Sequence, residues 1–141
     1  MKKVLFSFIA VAFFFASCST SVSPTLFNEA IVGAYGTVAD IKNSYDNTLT
    51  EAVKADNYAS ITAATDSALA KIDAEITKVK DLGVPKGGDA YKEATVKVLE
   101  STRAIVEVGK KYASLTTEST EAEFDALEKE YNDKEDVYSK Y

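Results

Sequence analysis

The chain has 141 residues and carries 22 acidic against 16 basic side chains, with no histidine, no tryptophan and one cysteine, Cys18. This composition excludes disulfides, imidazole metal ligands and every catalytic arrangement built on a Ser/His or Cys/His pair. The negative charge also disfavours nucleic acid, because phosphates would be repelled. We therefore expect a protein that is not an enzyme, with no catalytic residue, no metal and no cofactor.

The first 18 residues have the pattern of a bacterial lipoprotein signal. Lys2 and Lys3 precede an apolar run over residues 4–15, and residues 15–18 read Phe-Ala-Ser-Cys. Small residues directly before a cysteine are what signal peptide cleavage requires. The pattern predicts a signal peptide over residues 1–17 and lipidation of Cys18. A cleaved signal without a lipid and an uncleaved anchor helix are the alternatives, although the apolar run is shorter than the roughly 20 residues of a membrane span.

Lipidation at Cys18 predicts a membrane-anchored protein of the bacterial cell envelope. Removing residues 1–17 takes away two lysines, so 14 basic residues face 22 acidic ones and the net charge becomes −8. Residues 18–25 are rich in Ser and Thr and form a short tether to the following domain. No acidic run follows the cysteine, which favours a periplasm-facing position at the outer membrane over the cell surface.

The first predicted helix covers residues 26–55. Apolar residues recur there every three or four positions, which is the spacing of an amphipathic helix. The stripe consists of Phe27, Ile31, Ala34, Val38, Ile41, Tyr45, Leu49 and Ala52.

A second helix is predicted over residues 57–82, because the apolar stripe restarts at Tyr58 in a new phase. Asp56 and Asn57 are good N-caps and indicate a tight turn between the two helices. Gly83 is the expected C-cap of the second helix. The second stripe consists of Tyr58, Ile61, Thr65, Ala68, Ile72, Ile76 and Val79.

Two further helices are predicted over residues 89–115 and 120–141. The third stripe runs through Tyr91, Ala94, Val98, Thr102, Ile105, Val108, Tyr112 and Leu115. Thr120 and Glu123 have the spacing of a capping box at the start of the fourth helix. Four helices joined by short turns predict an all-α fold, an up-down-up-down antiparallel four-helix bundle over residues 26–141.

Tyrosine supplies the candidate ligand-binding residues, since eight tyrosines occur in the chain. If the first helix starts at the membrane side and the helices alternate in direction, four tyrosines lie toward one end of the bundle. These are Tyr35, Tyr91, Tyr138 and Tyr141. An open, tyrosine-lined end could accept an aromatic, sugar or peptide group. The other interpretation is that these rings are core residues near the rim, with buried bodies and wet hydroxyl groups.

The lipobox, the Ser-rich tether and two short segments carry a family resemblance. The segments are Ser-Tyr-Asp-Asn at residues 44–47 and Gly-Asp-Ala-Tyr-Lys-Glu-Ala at residues 88–94. With them, the chain resembles the small helical lipoproteins of the bacterial cell envelope that are grouped as uncharacterised surface proteins. The resemblance implies a four-helix bundle and an envelope location, and it supplies no catalytic residue.

From these observations we expect a lipid-anchored, non-enzymatic helical domain. Its partners would be the membrane, through lipidated Cys18, and an envelope protein that it binds or organises. A small-ligand binding module that uses the tyrosine-rich end is the alternative hypothesis.

Overall fold

The computed structural model describes residues 22–116 and 118–139 of the chain. The predicted signal peptide, the predicted lipidation site Cys18 and Tyr141 lie outside the described residues. Within them the chain is all-helical, with no strand and with four α-helices. The helices are α1 (Pro24–Lys54), α2 (Ala59–Asp81), α3 (Asp89–Tyr112) and α4 (Glu121–Tyr138). The prediction of an all-α fold with four helices is confirmed.

Helix α1 begins two residues earlier than the stripe suggested. The Ser23 side chain accepts a hydrogen bond from the backbone N–H of Leu26 at 3.2 Å and caps the helix. Pro24 follows in the first turn, where its missing N–H costs nothing. The tether predicted over residues 18–25 therefore ends at Ser23, because Pro24 and Thr25 already belong to α1.

The turn between α1 and α2 is as tight as predicted, but its two polar residues act differently. Asp56 has a φ of 51° and occupies the left-handed position that ends α1. The backbone N–H of Asn57 donates to the carbonyl of Ala52 at 2.8 Å, a bond typical of a helix C-terminus. The expectation that Asp56 and Asn57 act as N-caps of α2 is wrong, since the N-cap position belongs to Tyr58.

The connection from α2 to α3 ends α2 without help from Gly83. Leu82 is the C-cap and is extended, and the glycine with a positive φ in this loop is Gly87, at 84°. The ammonium group of Lys92 donates to the Leu82 carbonyl at 2.8 Å. A lysine from the next helix thus satisfies a carbonyl that the sequence assigned to a glycine cap.

The core is built by α1, α2 and α3, and the predicted stripes of α1 and α2 form it as expected. In α3 the predicted stripe is wrong over its first two turns, because Tyr91 and Ala94 are exposed while Thr95 and Leu99 are buried. Val98 and Leu99 are adjacent apolar residues, so the spacing permits two registers. The register that buries the larger leucine is the one adopted, since burial free energy grows with apolar area.

Helix α4 packs on this core from one side. It contributes no fully buried residue, and its half-buried face contains Phe124, Leu127 and Tyr131. Among the described residues, no Cα atom of α4 lies within 8 Å of a Cα atom of α1 or α2, whereas α4 approaches α3 closely. Long side chains consequently bridge the space between α1 and α4.

Candidate binding groove between α1, α3 and α4

A cluster of polar side chains bridges α1 and α4. The Lys42 ammonium contacts a carboxylate oxygen of Asp46 at 2.7 Å and one of Glu135 at 2.7 Å. The Tyr131 hydroxyl donates to the second oxygen of Asp46 at 2.8 Å and lies 3.2 Å from the Lys42 ammonium. These four side chains, Lys42, Asp46, Tyr131 and Glu135, form what we call the polar bridge. Two acids and one base give it a net charge of −1.

Local helix geometry explains why the polar bridge forms. Lys42 and Asp46 are four residues apart on α1, so both project toward α4. Tyr131 and Glu135 have the same spacing on α4 and face back. The Lys42 side chain is only 15% exposed, and its polar partners keep it hydrogen-bonded in this half-buried position.

The polar bridge perturbs the pKa of two of its members. Burial alone would lower the pKa of Lys42, but the hydrogen bonds to Asp46, Glu135 and Tyr131 outweigh it, and the pKa is raised. Burial raises the pKa of Tyr131, and its hydrogen bond to the Asp46 carboxylate raises it further. Lys42 is therefore held as a cation and Tyr131 as a neutral phenol at neutral pH.

Next to the polar bridge, the space between the helices opens into a groove of about 440 Å³. We call it the α1–α4 groove. Leu49 and Val53 on α1, Tyr112 on α3 and Phe124 on α4 provide mainly apolar walls, while Asp46, Glu128 and Tyr131 add polar groups. Its remaining lining residues are Thr50 and Lys54. The volume is within the range of small-ligand pockets.

Two side-chain contacts lie close to the residues that line the α1–α4 groove. The Tyr45 hydroxyl crosses the core from α1 and forms a hydrogen bond with the Thr65 hydroxyl on α2 at 3.1 Å. Both residues are buried, and Gly109 of α3 leaves room for the tyrosine hydroxyl. On the far side, the rings of Phe124 and Tyr58 lie with their centroids 6.1 Å apart. Phe124, a wall residue of the groove, thus contacts the core through Tyr58, while Tyr45 joins α1 to α2.

The structure brings together two of the four tyrosines predicted as ligand-binding residues. The hydroxyl groups of Tyr35 and Tyr138 are hydrogen-bonded at 3.0 Å. This bond and burial together raise the pKa of Tyr138 to about 12. Tyr91 does not join this pair, because its ring packs against that of Phe27, eight residues before Tyr35 on α1, at a centroid distance of 6.2 Å. Tyr141 is outside the described residues, so a binding role for the four stays a prediction.

The sequence does not by itself predict the α1–α4 groove, although two charge patterns in it are consistent with the polar bridge. Lys42 and Asp46 have the i, i+4 spacing of an ion pair. On α4, Glu135 continues the helical spacing of Phe124, Leu127 and Tyr131, where an apolar residue would be expected. An acidic residue on an apolar stripe indicates a buried cationic partner. Nothing in one helix, however, identifies a partner that lies about 90 residues away in the chain.

The described residues offer neither a metal-binding cluster nor a membrane-spanning helix. Residues 22–116 and 118–139 contain no group of three or more acidic or cysteine side chains arranged to hold a metal ion. No helix in this part of the chain is both long and apolar enough to cross a membrane.

The chain as a whole was compared with known proteins, and nothing similar emerged: no protein-family model, no curated protein and no solved structure matches it.

Proposed function

We propose that this chain is a lipid-anchored, non-enzymatic domain of the bacterial cell envelope that binds a protein partner. The chain is anchored through lipidated Cys18 to the outer membrane, and the helical domain faces the periplasm. In this proposal the four helices form an up-down-up-down antiparallel bundle, as in the small helical envelope lipoproteins that the chain resembles.

Pairs of side chains between neighbouring helices support the antiparallel arrangement. Between α2 and α3, Asp66 pairs with Lys110 at 3.3 Å, and Arg103 pairs with Asp73 at 2.7 Å. The position on α3 moves back as the position on α2 advances, which is how antiparallel neighbours meet. The same order holds between α1 and α4, where Tyr35 contacts Tyr138 and Asp46 contacts Tyr131.

The observation that carries the membrane assignment is where apolar side chains are exposed. Among the described residues, the large hydrophobic side chains that are exposed belong to the N-terminal half of α1, the start of α3 and the end of α4. They are Leu26, Val32, Tyr35, Tyr91 and Val137. Tyr91 contacts Phe27, and the neighbour of Val137 contacts Tyr35, so both lie toward the end of α1 that is nearest Cys18.

The tether keeps this apolar end near the lipid. The six residues from Cys18 to Ser23 span at most about 20 Å when fully extended. Tyrosine and aliphatic side chains at such a distance suit the membrane–water interface. The short tether and the exposed apolar side chains therefore both favour an orientation in which the end of the bundle at the start of α1 faces the membrane.

In that orientation the α1–α4 groove is turned away from the bilayer. Asp46 lies 22 residues beyond Pro24, which corresponds to about 33 Å along the helix axis. The groove would then be open to a protein in the periplasm and not covered by lipid, and this supports partner binding there.

Metabolic labelling with a fatty acid tests the anchor, and crosslinking in native membranes tests the partner. We expect the full chain to be labelled and a Cys18→Ser variant to remain unlabelled. Crosslinking followed by purification should capture a partner with the lipidated chain and much less with Cys18→Ser. An unlabelled wild-type chain would refute the anchor, and a crosslinking pattern identical to the Cys18→Ser control would refute partner binding.

Protease treatment of intact cells tests the side of the membrane. A periplasm-facing domain should survive it and be degraded only after the outer membrane is permeabilised. Rapid loss from intact cells would show that the domain lies on the cell surface.

A further inference from the structure

The walls of the α1–α4 groove suit an apolar segment of moderate length. Leu49 and Val53 line one side, and Tyr112 and Phe124 line the other. All four are half-buried, so each retains apolar surface that a ligand could remove from water. A bare metal ion would use none of these walls, which indicates a ligand with a hydrocarbon portion.

The charges around the groove are unequal. The positive charge of Lys42 is balanced by Asp46 and Glu135, and Lys54 is paired with Glu51 at 3.0 Å. Among the described residues no cation lies within ion-pair distance of Glu128, which also lines the groove. The nearby Glu128 carboxylate contributes to the raised pKa of Tyr112, after burial as the main cause. The groove thus has a negative potential that its own lysines do not cancel.

The C-terminal part of the chain, which includes α4, also carries a net negative charge. Residues 118–141 contain nine acidic residues and three lysines. Charges on one helix add to the potential of an adjacent groove and attract ligands of the opposite sign.

One aromatic ring of the groove already contacts a cation. The Lys42 ammonium lies 5.6 Å from the centroid of the Tyr131 ring, within the range of a cation–π interaction. Tyr131 also lines the groove, and the Tyr112 ring lies in the same wall. Aromatic rings beside carboxylates are a favourable environment for an ammonium or guanidinium group.

From this geometry we infer that the α1–α4 groove binds a basic side chain, arginine or lysine, presented by a segment of the partner protein. The hydrocarbon stem would pack on Leu49, Val53 and Phe124, and the cationic group would reach Glu128 and the Tyr112 ring, away from the ring that Lys42 already contacts. Long basic side chains combine such a stem and head group. The inference deepens the proposed function, since it names the chemistry of the partner.

Binding of matched peptides to the full lipidated chain in nonionic detergent tests this inference. One peptide is a short, acetylated and amidated sequence with a central arginine between two leucines. The second replaces arginine with citrulline, which has nearly the same shape and no charge. We expect the arginine peptide to bind at least tenfold more tightly in calorimetry. It should also shift the amide NMR signals of Tyr112, Phe124 and Glu128.

Two charge-neutralising variants separate the groove from the overall field. Glu128→Gln should weaken binding of the arginine peptide about threefold to tenfold, because it removes the unpaired carboxylate. Glu29→Gln changes the net charge equally, but it lies on α1 about 25 Å along the axis from Asp46. Binding to Glu29→Gln should equal that of the wild type. Both positions are exposed, so neither substitution disturbs the core.

Several outcomes would overturn the inference. These are equal binding of the arginine and citrulline peptides, no binding of either at millimolar concentration, equal loss in Glu29→Gln and Glu128→Gln, and NMR shifts confined to the α2–α3 surface. A crosslinked partner that is captured equally well by Glu128→Gln would also overturn it while leaving the proposed function intact. Selective arginine-peptide binding without any captured partner would instead contradict only the proposed function.

Discussion

Gly109 provides a sharp test of how the core is packed. It lies on α3 where the Tyr45 hydroxyl approaches from α1, and a Cβ atom there would overlap that hydroxyl. The same Cβ would come within 2.8 Å of the Thr65 hydroxyl oxygen. Replacing Gly109 with alanine therefore forces the Tyr45 ring to move or α3 to shift away from α1 and α2.

The expected loss of stability is the sum of two destabilising contributions and one stabilising contribution. Overpacking a close-packed core costs about 1 to 3 kcal/mol. Losing the Tyr45–Thr65 hydrogen bond in a buried site costs about 1 to 3 kcal/mol. Alanine recovers about 1 kcal/mol through its higher helix propensity. We expect a net destabilisation of about 1 to 5 kcal/mol, which corresponds to a drop of roughly 4 to 20 °C in Tm for a domain of this size.

Thermal and urea unfolding followed by circular dichroism measures this difference. The matched control is Gly36→Ala on α1, where no atom lies within 4 Å of the added Cβ. Gly36→Ala should raise stability by about 0.5 to 1 kcal/mol. If Gly109→Ala stabilises the protein as Gly36→Ala does, the close contact with Tyr45 is not present in solution. Combining Gly109→Ala with Tyr45→Phe should recover part of the loss, because the overlapping oxygen is then absent.

Three further predictions concern the contacts of α4. Lys42→Met leaves Asp46 without its cation and should lower the free energy of unfolding by about 1 to 2 kcal/mol. The control Lys71→Met, at an exposed site, should change it by less than about 0.5 kcal/mol. Equal effects of the two variants in urea unfolding would contradict the half-buried polar bridge. Because the pKa values of Lys42 and Tyr131 are raised, the folded state holds both protons more tightly than the unfolded chain does. The stabilisation that these two groups contribute is therefore complete below about pH 10 and is lost as the pH rises further. The alkaline fall in Tm should accordingly be smaller in Tyr131→Phe, and an unchanged fall would count against this origin. Thr120→Ala removes the capping box that the Glu123 side chain completes and should cost about 0.5 to 2 kcal/mol, measured as faster amide exchange in α4 with no change in α2.

The sequence was sufficient to predict four helices and the buried faces of α1 and α2. In both helices every residue of the predicted stripe is buried or half-buried, and α2 also buries Leu69 beside Ala68. In α3 the neighbours Val98 and Leu99 allowed two registers, and periodicity cannot decide between them. That choice depends on which face fits the space left by α1 and α2, which is a property of the assembled core.

The groove and the polar bridge could not be predicted for a different reason. Each depends on the separation of α1 and α4, which local sequence does not encode. Lys42 has the spacing of an ion pair with Asp46 on α1, and Glu135 is an acidic residue on the half-buried face of α4. Their contact depends on how α1 and α4 each pack on α3. The contacts of the tyrosines depend on the same packing, since Tyr35 meets Tyr138 between α1 and α4 and Tyr91 meets Phe27 between α3 and α1.

The wide separation of the α1 and α4 backbones has a consequence for how the protein opens. Helix α4 touches the rest of the described chain through one close helix neighbour, α3, and otherwise through side chains that water can reach. Such an element can unfold on its own at a lower free energy than the whole domain. The backbone amides of α4 should therefore exchange with solvent by local opening, while those of α2, enclosed between α1 and α3, should wait for global unfolding. The wall of the groove that includes Phe124 and Glu128 is thus also the most easily released part of the fold.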